Sequence, residues 1–431
     1  MVLMKAMIGP QPEYKMTPTL AEMTRVFTRI GLLSFGGPAA QIALMHRELV
    51  EERDWVSEKD YLSALSFCML LPGPEAMQLA TWTGWRMHGT KGGLIAGLLF
   101  VLPGAAIVLA LSMIYAAFGQ IPLVAALFTG VQAAVVAIVI EALLRVSKRA
   151  LNGRIYWVIA AVAFFALFAL NIPFPVIIIA AALFGAFTSK APSTPAPAIP
   201  HAPARTQFTL AIWLALWLIP LAVLWQFERG LLFDIGLFFS KLAVVTFGGA
   251  YAVLAWMTQA VVQDKGWLSL PQMMDGLGLA ETTPGPLILV TEFVGYLAAH
   301  KQGGWMYGIA GAVVTLWMTF VPCFLWIFTF APYIARITAE PRLAGALKAI
   351  TAAVVGVIAN LSLWFAAHVI FKSVGKIDFG PFHLIFPDWA SVNLVALAIG
   401  IVAAWLLLMR HWSLPLVLGL SALASVVAAL I

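Results

Sequence analysis

Apolar residues run along this chain in long stretches that short polar or charged loops separate. Most stretches last close to 20 residues, the length that a helix needs to cross a bilayer, and they lack the every-second-residue alternation of barrel strands. Backbone groups in lipid must be hydrogen-bonded within the protein. The pattern therefore predicts an all-α polytopic membrane protein with about 13 membrane segments. The predicted segments are 20–45, 61–85, 93–118, 123–144, 155–171, 174–187, 208–227, 233–260, 271–299, 304–332, 345–371, 390–408 and 412–430.

Composition agrees with this fold class. The 431 residues are 62% hydrophobic and 10% charged, whereas a soluble domain carries about 25% charged residues. The formal charge of +6 fits cytoplasmic loops rich in lysine and arginine beside a lipid bilayer, and no basic block with interleaved aromatic residues predicts a nucleic-acid partner. Cys68 and Cys323 are isolated and the histidines have no metal-binding spacing, so we expect no metal and no other cofactor.

Two helix-breaking motifs interrupt the apolar segments, and both occur twice. The motif Ser34-Phe35-Gly36-Gly37-Pro38 recurs 212 residues later as Thr246-Phe247-Gly248-Gly249. The motif Pro72-Gly73-Pro74 recurs at the same offset as Pro284-Gly285-Pro286. Glycine and proline are the least favourable residues in a helix interior. The motifs therefore predict broken helices at equivalent places in two repeats.

The repeat divides the chain into two transporter units. Residues 1–187 form the first repeat, a Pro/Ala-rich linker covers 188–207, a linking membrane span covers 208–229, and the second repeat covers 230–431. The first repeat has six segments and the linking span adds one more crossing. The second repeat, with six further segments, therefore enters from the opposite side of the membrane.

Loop charges agree with this inverted topology. Loop 119–122 has no lysine or arginine while its counterpart 333–348 has three, and loop 145–154 has four while its counterpart 372–376 has two. Loop 46–60 is predicted to lie outside. If either broken segment is re-entrant, the number of spans changes but the duplication does not.

The breaks are the predicted binding site. A helix that begins inside a protein presents unpaired N–H groups and a partial positive charge, which attract anions. Pro74 and Pro286 suit the first turn of such a helix. We expect four breaks to enclose one small anion. The predicted substrate-binding residues are Arg29, Ser34, Phe35, Gly36, Gly37, Pro38, Pro72, Gly73, Pro74, Gln78, Lys241, Thr246, Phe247, Gly248, Gly249, Thr282, Thr283, Pro284, Gly285 and Pro286.

Charged residues near the breaks have two interpretations each. Arg29 and Lys241 both lie five residues before their motif, where they either help to hold an anion or anchor a helix end at the interface. Glu75, Glu281 and Glu292 are candidates for proton coupling, because ionisable residues in membrane segments are costly and often functional.

Other interpretations of the carboxylates are structural. Glu75 can instead satisfy the N–H groups of its own helix end. Glu141 and Arg145, four residues apart on one helix, are expected to form an ion pair. No ATP-binding motif is present, so transport is driven by an ion gradient or is passive.

The motifs resemble those of the chromate ion transporter family. The similarity consists of Phe27-x-Arg29-Ile30-Gly31-x-x-Ser34-Phe35-Gly36-Gly37-Pro38, then Leu71-Pro72-Gly73-Pro74 with Gln78 and Gly84. The second half repeats it from Phe238-x-x-Lys241 to Gly249, then in Thr283-Pro284-Gly285-Pro286. This similarity covers nearly the whole chain and matches the long, two-domain form of the family. The second half departs in Ala250, which stands in place of Pro38, and in Lys241, which stands in place of Arg29.

The resemblance implies secondary active export of chromate from the bacterial cytoplasm, giving chromate resistance, by a multi-pass protein of the inner membrane. Chromate is a tetrahedral divalent oxyanion close in size to sulfate, so import or exchange of sulfate is the nearest alternative. An intramembrane enzyme for a lipid-linked substrate is an alternative of another class, and we find no clustered nucleophile for it. Direction, coupling by protons or sulfate, and assembly as a homodimer stay open.

Overall fold

The computed structural model describes residues 17–189, 206–228, 230–247, 250–380 and 382–430. Within these ranges the chain is almost entirely helical, and five helices are long and apolar enough to cross a membrane. The predicted fold class, an all-α polytopic membrane protein, is therefore confirmed. Residues 190–205 of the predicted linker lie outside the described residues.

Helices α1 to α7 form the first half, and α8 joins it to the second. A capping box of Thr19 and Glu22 starts α1, and a π-helical turn, Arg47–Glu51, follows α2. The bounds are α1 (Leu20–Leu33), α2 (Gly37–His46), α3 (Glu58–Leu70), α4 (Glu75–Phe118), α5 (Pro122–Ala150), α6 (Arg154–Phe168), α7 (Phe174–Thr188) and α8 (Thr206–Phe227).

The second half repeats the order of the first. A second π-helical turn, Ala260–Asp264, follows α10, and an antiparallel hairpin of β1 (Val374–Phe379) and β2 (Phe382–Pro387) occupies a stretch that the hydrophobic pattern assigns to no segment. The helices are α9 (Leu231–Val245), α10 (Ala250–Gln259), α11 (Leu270–Thr282), α12 (Val290–Phe330), α13 (Ile334–Ala339), α14 (Pro341–Ile370), α15 (Leu394–Leu408) and α16 (Leu414–Leu430).

The first broken segment is a helical hairpin. The Arg29 guanidinium in α1 lies 3.5 Å from the carboxylate of Glu48, which follows α2. One continuous helix would separate these residues by about 28 Å along its axis, so the chain reverses direction between α1 and α2. Loop 46–60 therefore lies at the end of the molecule where α1 begins, which we call the first face. The prediction that this loop lies on the opposite side is wrong.

The second broken segment also returns to the first face. The Tyr61 hydroxyl at the start of α3 donates to the Ile42 carbonyl, and the His88 ring lies 2.8 Å from the Pro18 carbonyl oxygen just before α1. Helix α4 loses helical geometry at His88 and Gly89, where the chain reverses. It therefore consists of a short arm, 75–87, and a long arm, 90–118, and the sequence-predicted segments 61–85 and 93–118 separate at this point.

A matching hairpin lies in the second half. The Lys301 ammonium at the end of the first arm of α12 donates to the Trp267 carbonyl oxygen at 2.7 Å, just before α11. Helix α12 loses helical geometry at Gly303 and Gly304, where its second arm begins. The break between α11 and α12 is thus the tip of a second-half hairpin whose open end lies at Lys301. We call that end of the molecule the second face.

Helix α8 connects the two faces. Its Thr206 hydroxyl lies 3.1 Å from the Tyr333 hydroxyl, and Tyr307 donates to Glu228 just beyond the other end of α8. The second arm of α12, residues 305–330, separates these contacts by roughly 39 Å. Helix α13, which follows Tyr333, packs against α3 at the first face. The second half therefore begins at the second face.

The two halves interlock around one hydrophobic core. Helices α6 and α7 pack against α14, while their counterparts α15 and α16 pack against α5. Small residues bring these helices close: a Cβ added to Gly130 would lie 2.0 Å from the Ser421 carbonyl oxygen, and one added to Gly356 would lie 2.1 Å from that of Ala160. The predicted units 1–187 and 230–431 thus share buried surface throughout.

Candidate functional site

The four breaks meet inside the protein. The N–H of Gly73 donates to the Thr246 carbonyl oxygen at 2.8 Å, and the N–H of Gly285 donates to the Ser34 carbonyl oxygen at 2.9 Å. The two donors are 212 residues apart, and so are the two acceptors. Each half therefore donates an equivalent hydrogen bond to the other. We call the breaks at 34–38, 71–74, 246–249 and 283–286 the tips. Gly248 and Gly249 lie outside the described residues.

Gly73 and Gly285 adopt backbone conformations that glycine adopts readily and other residues adopt rarely. Their φ angles are +122° and +95°. A Cβ on Gly73 would lie 2.8 Å from Gln78 Nε2 and 2.9 Å from Cys323 Sγ, and a Cβ on Gly285 would lie 2.9 Å from Leu289 Cδ1. Both glycines are therefore required by conformation and by packing.

Helices begin at or just after the tips. Helix α2 begins at Gly37, α4 begins directly after Pro74, and α10 begins at Ala250. A 3₁₀ turn, Leu287–Leu289, separates Pro286 from α12, so this helix begins a few residues later than the sequence suggests. The first N–H groups of a helix have no partner within it and carry partial positive charge. The tips therefore bring together the helix ends on which the predicted anion site depends.

The hydroxyl groups at the tips bond to their own helices. Ser34 Oγ donates to the Ile30 carbonyl and Thr246 Oγ1 donates to the Leu242 carbonyl, both at 2.6 Å. Thr282 and Thr283 likewise donate to carbonyls three residues earlier. These protons serve the helix ends, and the N–H groups of Gly73 and Gly285 donate to the other half. The N–H groups of the first helical turns after the tips are therefore the better anion donors. The ring of Phe35 is 42% exposed, and Phe247 is half-buried.

Two buried glutamines support the tips. Gln41 Nε2 donates to the Gly285 carbonyl oxygen at 2.6 Å, and Gln78 Nε2 donates to the Pro72 carbonyl oxygen at 2.7 Å. Among the described residues neither Oε1 atom has a hydrogen-bond partner. Sequence analysis missed Gln41 because the residue 212 positions later is Val253, which gives no repeat signal.

A cavity of about 360 Å³ connects the tips to the end of α5 at the first face. Its lining includes the tip residues Pro38 and Gly73, and also Glu75. Arg145 and Arg149 of α5 line it as well. The expected ion pair of Arg145 with Glu141 is present. Sequence analysis placed neither arginine in the site, because their distance from the tips along the chain hides their proximity in the fold.

The three predicted coupling carboxylates occupy different environments. Glu75 is half-buried and lines the first-face cavity. Glu281 is buried and accepts a hydrogen bond from the Tyr251 hydroxyl at 2.7 Å. Glu292 is 1% exposed, and within the described part of the chain its Oε2 atom has no hydrogen-bond partner.

Asp275 is a fourth buried carboxylate near the interface between the halves. It accepts hydrogen bonds from the Tyr115 hydroxyl at 2.6 Å and from Gln132 Nε2 at 2.8 Å. Sequence analysis did not single it out, although a carboxylate in the apolar segment 271–299 was a signal. The three side chains form a polar bridge from α11 to α4 and α5.

The two predicted basic residues lie away from the tips. Arg29 contacts Glu48, a fully buried carboxylate that Arg53 also contacts at 2.7 Å. Lys241 is exposed on α9. These placements favour the interpretation of both residues as structural or interfacial anchors over direct contact with an anion.

A second cavity, of about 260 Å³, is lined in part by residues of the β-hairpin, and none of its lining residues belongs to a tip. Its lining includes Asn360, Trp364 and His368 of α14. These residues follow Glu141, Arg145 and Arg149 by 219 positions, the offset that relates α14 to α5. The two cavities therefore differ in charge at equivalent positions. Across the described residues no group of three His, Cys, Asp or Glu side chains is arranged to hold a metal ion.

Comparison with known proteins identifies relatives of the whole chain. The family model described as "Chromate transporter" matches residues 21–186 and 233–426. The chain is 34% identical over 393 residues to a "Chromate transport protein" of Pseudomonas aeruginosa, covering 88% of this chain and 90% of that protein. It is 32% identical over 343 residues to a "Chromate transport protein" of Cupriavidus metallidurans, covering 79% and 81%. A "Probable chromate transport protein" of Synechococcus elongatus is 33% identical over 344 residues, covering 79% and 83%. No solved structure matches.

Proposed function

The chain belongs to the chromate transporter family, and on this premise we propose that it moves chromate across a membrane through the tips. It is a transporter rather than an enzyme. The observation that carries the proposal is the reciprocal pair of hydrogen bonds, Gly73 to Thr246 and Gly285 to Ser34, at which the helix ends of both halves meet.

The chemistry at the tips suits a tetrahedral oxyanion. Such an ion presents four acceptor oxygens, and helix N-terminal N–H groups bind phosphate and sulfate without further cations. Cys323 is 1% exposed, which limits contact of its thiol with an oxidising substrate, whereas Cys68 is among the residues that line the first-face cavity. Sulfate offers the same shape and charge, so it is the competing substrate in any test.

The proposed mechanism is alternating access by two inverted repeats. Its support is that α1 begins at the first face whereas α9 begins next to the end of α8 at the second face. The basic loops 145–154 and 333–348 belong to the first face, which makes that face cytoplasmic under the positive-inside rule. Rocking of one repeat against the other would expose the tips to each side in turn. We propose that transport through this cycle runs outward from the cytoplasm across a bacterial inner membrane.

Proton coupling is the proposed energy source, with sulfate exchange as its equal alternative. Glu75, Glu281 and Glu292 are the proposed proton carriers. Glu75 lines the first-face cavity and Glu281 bonds to Tyr251, which lines the same cavity. Glu292 has a buried oxygen without a partner in the described residues, and a neutral carboxylic acid is less costly there than a carboxylate.

The test is uptake of radiolabelled chromate into everted membrane vesicles from cells that express the protein. We expect uptake above that of vesicles without the protein, stimulated by an imposed proton gradient and competed by sulfate. Accumulation of labelled sulfate with no chromate movement would assign the protein to the sulfate alternative. Absence of both would overturn the proposal. A homodimer stays a prediction, which the mass of the purified protein in detergent tests.

A further inference from the structure

We propose that Arg145 and Arg149 form an anion-capture site for a tetrahedral dianion in the first-face cavity. This inference rests on the proposed function and adds a binding step that precedes the tips. The two residues lie four positions apart on α5, so their side chains share one face of the helix. Both line the cavity that also contacts Gly73 and Glu75.

The two guanidinium groups are accessible and only partly neutralised. The Arg145 side chain is 43% exposed, and its carboxylate partner Glu141 is 26% exposed. Among the described residues no carboxylate lies within ion-pair distance of Arg149, which is also exposed. A guanidinium group presents a planar fork of donors that matches two oxygens of a tetrahedral oxyanion. An arriving dianion therefore meets one unpaired guanidinium and one whose carboxylate partner it can displace.

The capture site is connected to the tips through residues that line the same cavity. Arg145 and Tyr251 both line the first-face cavity, and the Tyr251 hydroxyl donates a hydrogen bond to Glu281 at 2.7 Å. Glu281 lies two residues before Thr283 of the fourth tip. An anion that neutralises Arg145 thus changes the charge in the cavity whose wall includes Tyr251, the hydrogen-bond donor of Glu281.

The capture site exists on one side only. At the equivalent positions of the second half, Trp364 and His368 replace the two arginines and line the opposite cavity. Because these side chains lack the permanent charge of a guanidinium group, the second-face cavity holds a dianion less tightly. The difference in affinity favours loading at the first face and release at the second.

The experiment compares KM for chromate in everted vesicles with binding of sulfate, a non-oxidising probe, to purified protein in detergent. Arg149→Gln and Arg145→Gln are each expected to raise KM and the sulfate Kd about tenfold, the usual effect of losing a charge-assisted hydrogen bond. Arg149→Lys should recover only part of this loss, since an ammonium lacks the fork. Lys148→Gln is the matched control: it removes the same charge one residue earlier on α5, outside the cavity lining, and should leave both constants unchanged.

Glu141→Gln separates capture from a structural role of the ion pair. If the pair only stabilises α5, Glu141→Gln and Arg145→Gln should impair transport alike. Capture predicts opposite signs, because removal of Glu141 frees Arg145 and lowers KM by about two- to threefold, a typical ion-pair effect. The inference is overturned if the wild type transports chromate while Arg149→Gln and Arg145→Gln match Lys148→Gln in both constants. A wild type that transports no oxyanion overturns the proposed function instead.

Discussion

Replacement of Gly73 by alanine tests the tips most directly. Gly73 has a φ of +122°, and its N–H makes the 2.8 Å hydrogen bond to the other half. The added Cβ would lie 2.8 Å from Gln78 Nε2 and 2.9 Å from Cys323 Sγ. The tip must therefore move, and the amide that holds the Pro72 carbonyl must move with it.

The cost of this substitution has two parts. Backbone strain at such a φ contributes about 1–3 kcal/mol, and loss of the hydrogen bond to Thr246 adds about 0.5–1.5 kcal/mol. Together these give about 2–4 kcal/mol, which reduces the population of the native tip roughly 30- to 700-fold. We expect the initial rate of chromate uptake to fall at least tenfold, and the reciprocal change Gly285→Ala to have a similar effect.

The assay is uptake by everted vesicles normalised to the amount of protein in the membrane. Gly380→Ala is the control, because this turn residue of the β-hairpin has a φ of +60° and no atom within 4 Å of an added Cβ. It carries a strain of about 1–2 kcal/mol without a steric contact and should transport normally. Wild-type rates in Gly73→Ala at equal expression would refute the assignment of the tips as the transport site.

Three further predictions concern other polar groups. Gln41→Leu removes the donor to the Gly285 carbonyl and should lower uptake about five- to thirtyfold, as expected for about 1–2 kcal/mol; an unchanged rate would show that the amide is dispensable. Hydrogen bonding to Glu58 raises the pKa of His46, so the stabilisation by its charged ring is present below pH 6.5 and lost as pH rises through the raised pKa. The free energy of unfolding should therefore fall from pH 6 to 8 by no more than about 1 kcal/mol, which lowers the melting temperature slightly. The plot of melting temperature against pH should be flatter in His46→Gln, and equal plots for the two proteins would contradict this. Glu292→Gln should abolish stimulation by a proton gradient in proteoliposomes while chromate exchange continues, and persistent stimulation would exclude Glu292 as the carrier.

The repeated motifs predicted much of the site because their chemistry is local. A Pro-Gly-Pro sequence in an apolar segment breaks a helix wherever it stands, so the tips at 72–74 and 284–286 could be located without a structure. Gln41 and Arg145 could not be assigned in the same way. Gln41 donates a hydrogen bond to a residue of the other half, 244 positions away. Arg145 reaches the site because α5 ends beside the cavity that leads to the tips.

The sequence by itself determined the fold class and the paired breaks, because hydrophobic length and helix breaking depend on neighbouring residues only. It also predicted the ion pair of Glu141 and Arg145, which local helix geometry dictates. The tertiary structure alone decided that the broken segments turn back and that Arg29 contacts Glu48 rather than a tip. It also decided which tip bonds to which. These features depend on packing between distant helices, and a hydrophobic pattern carries no information about the direction in which a broken helix continues.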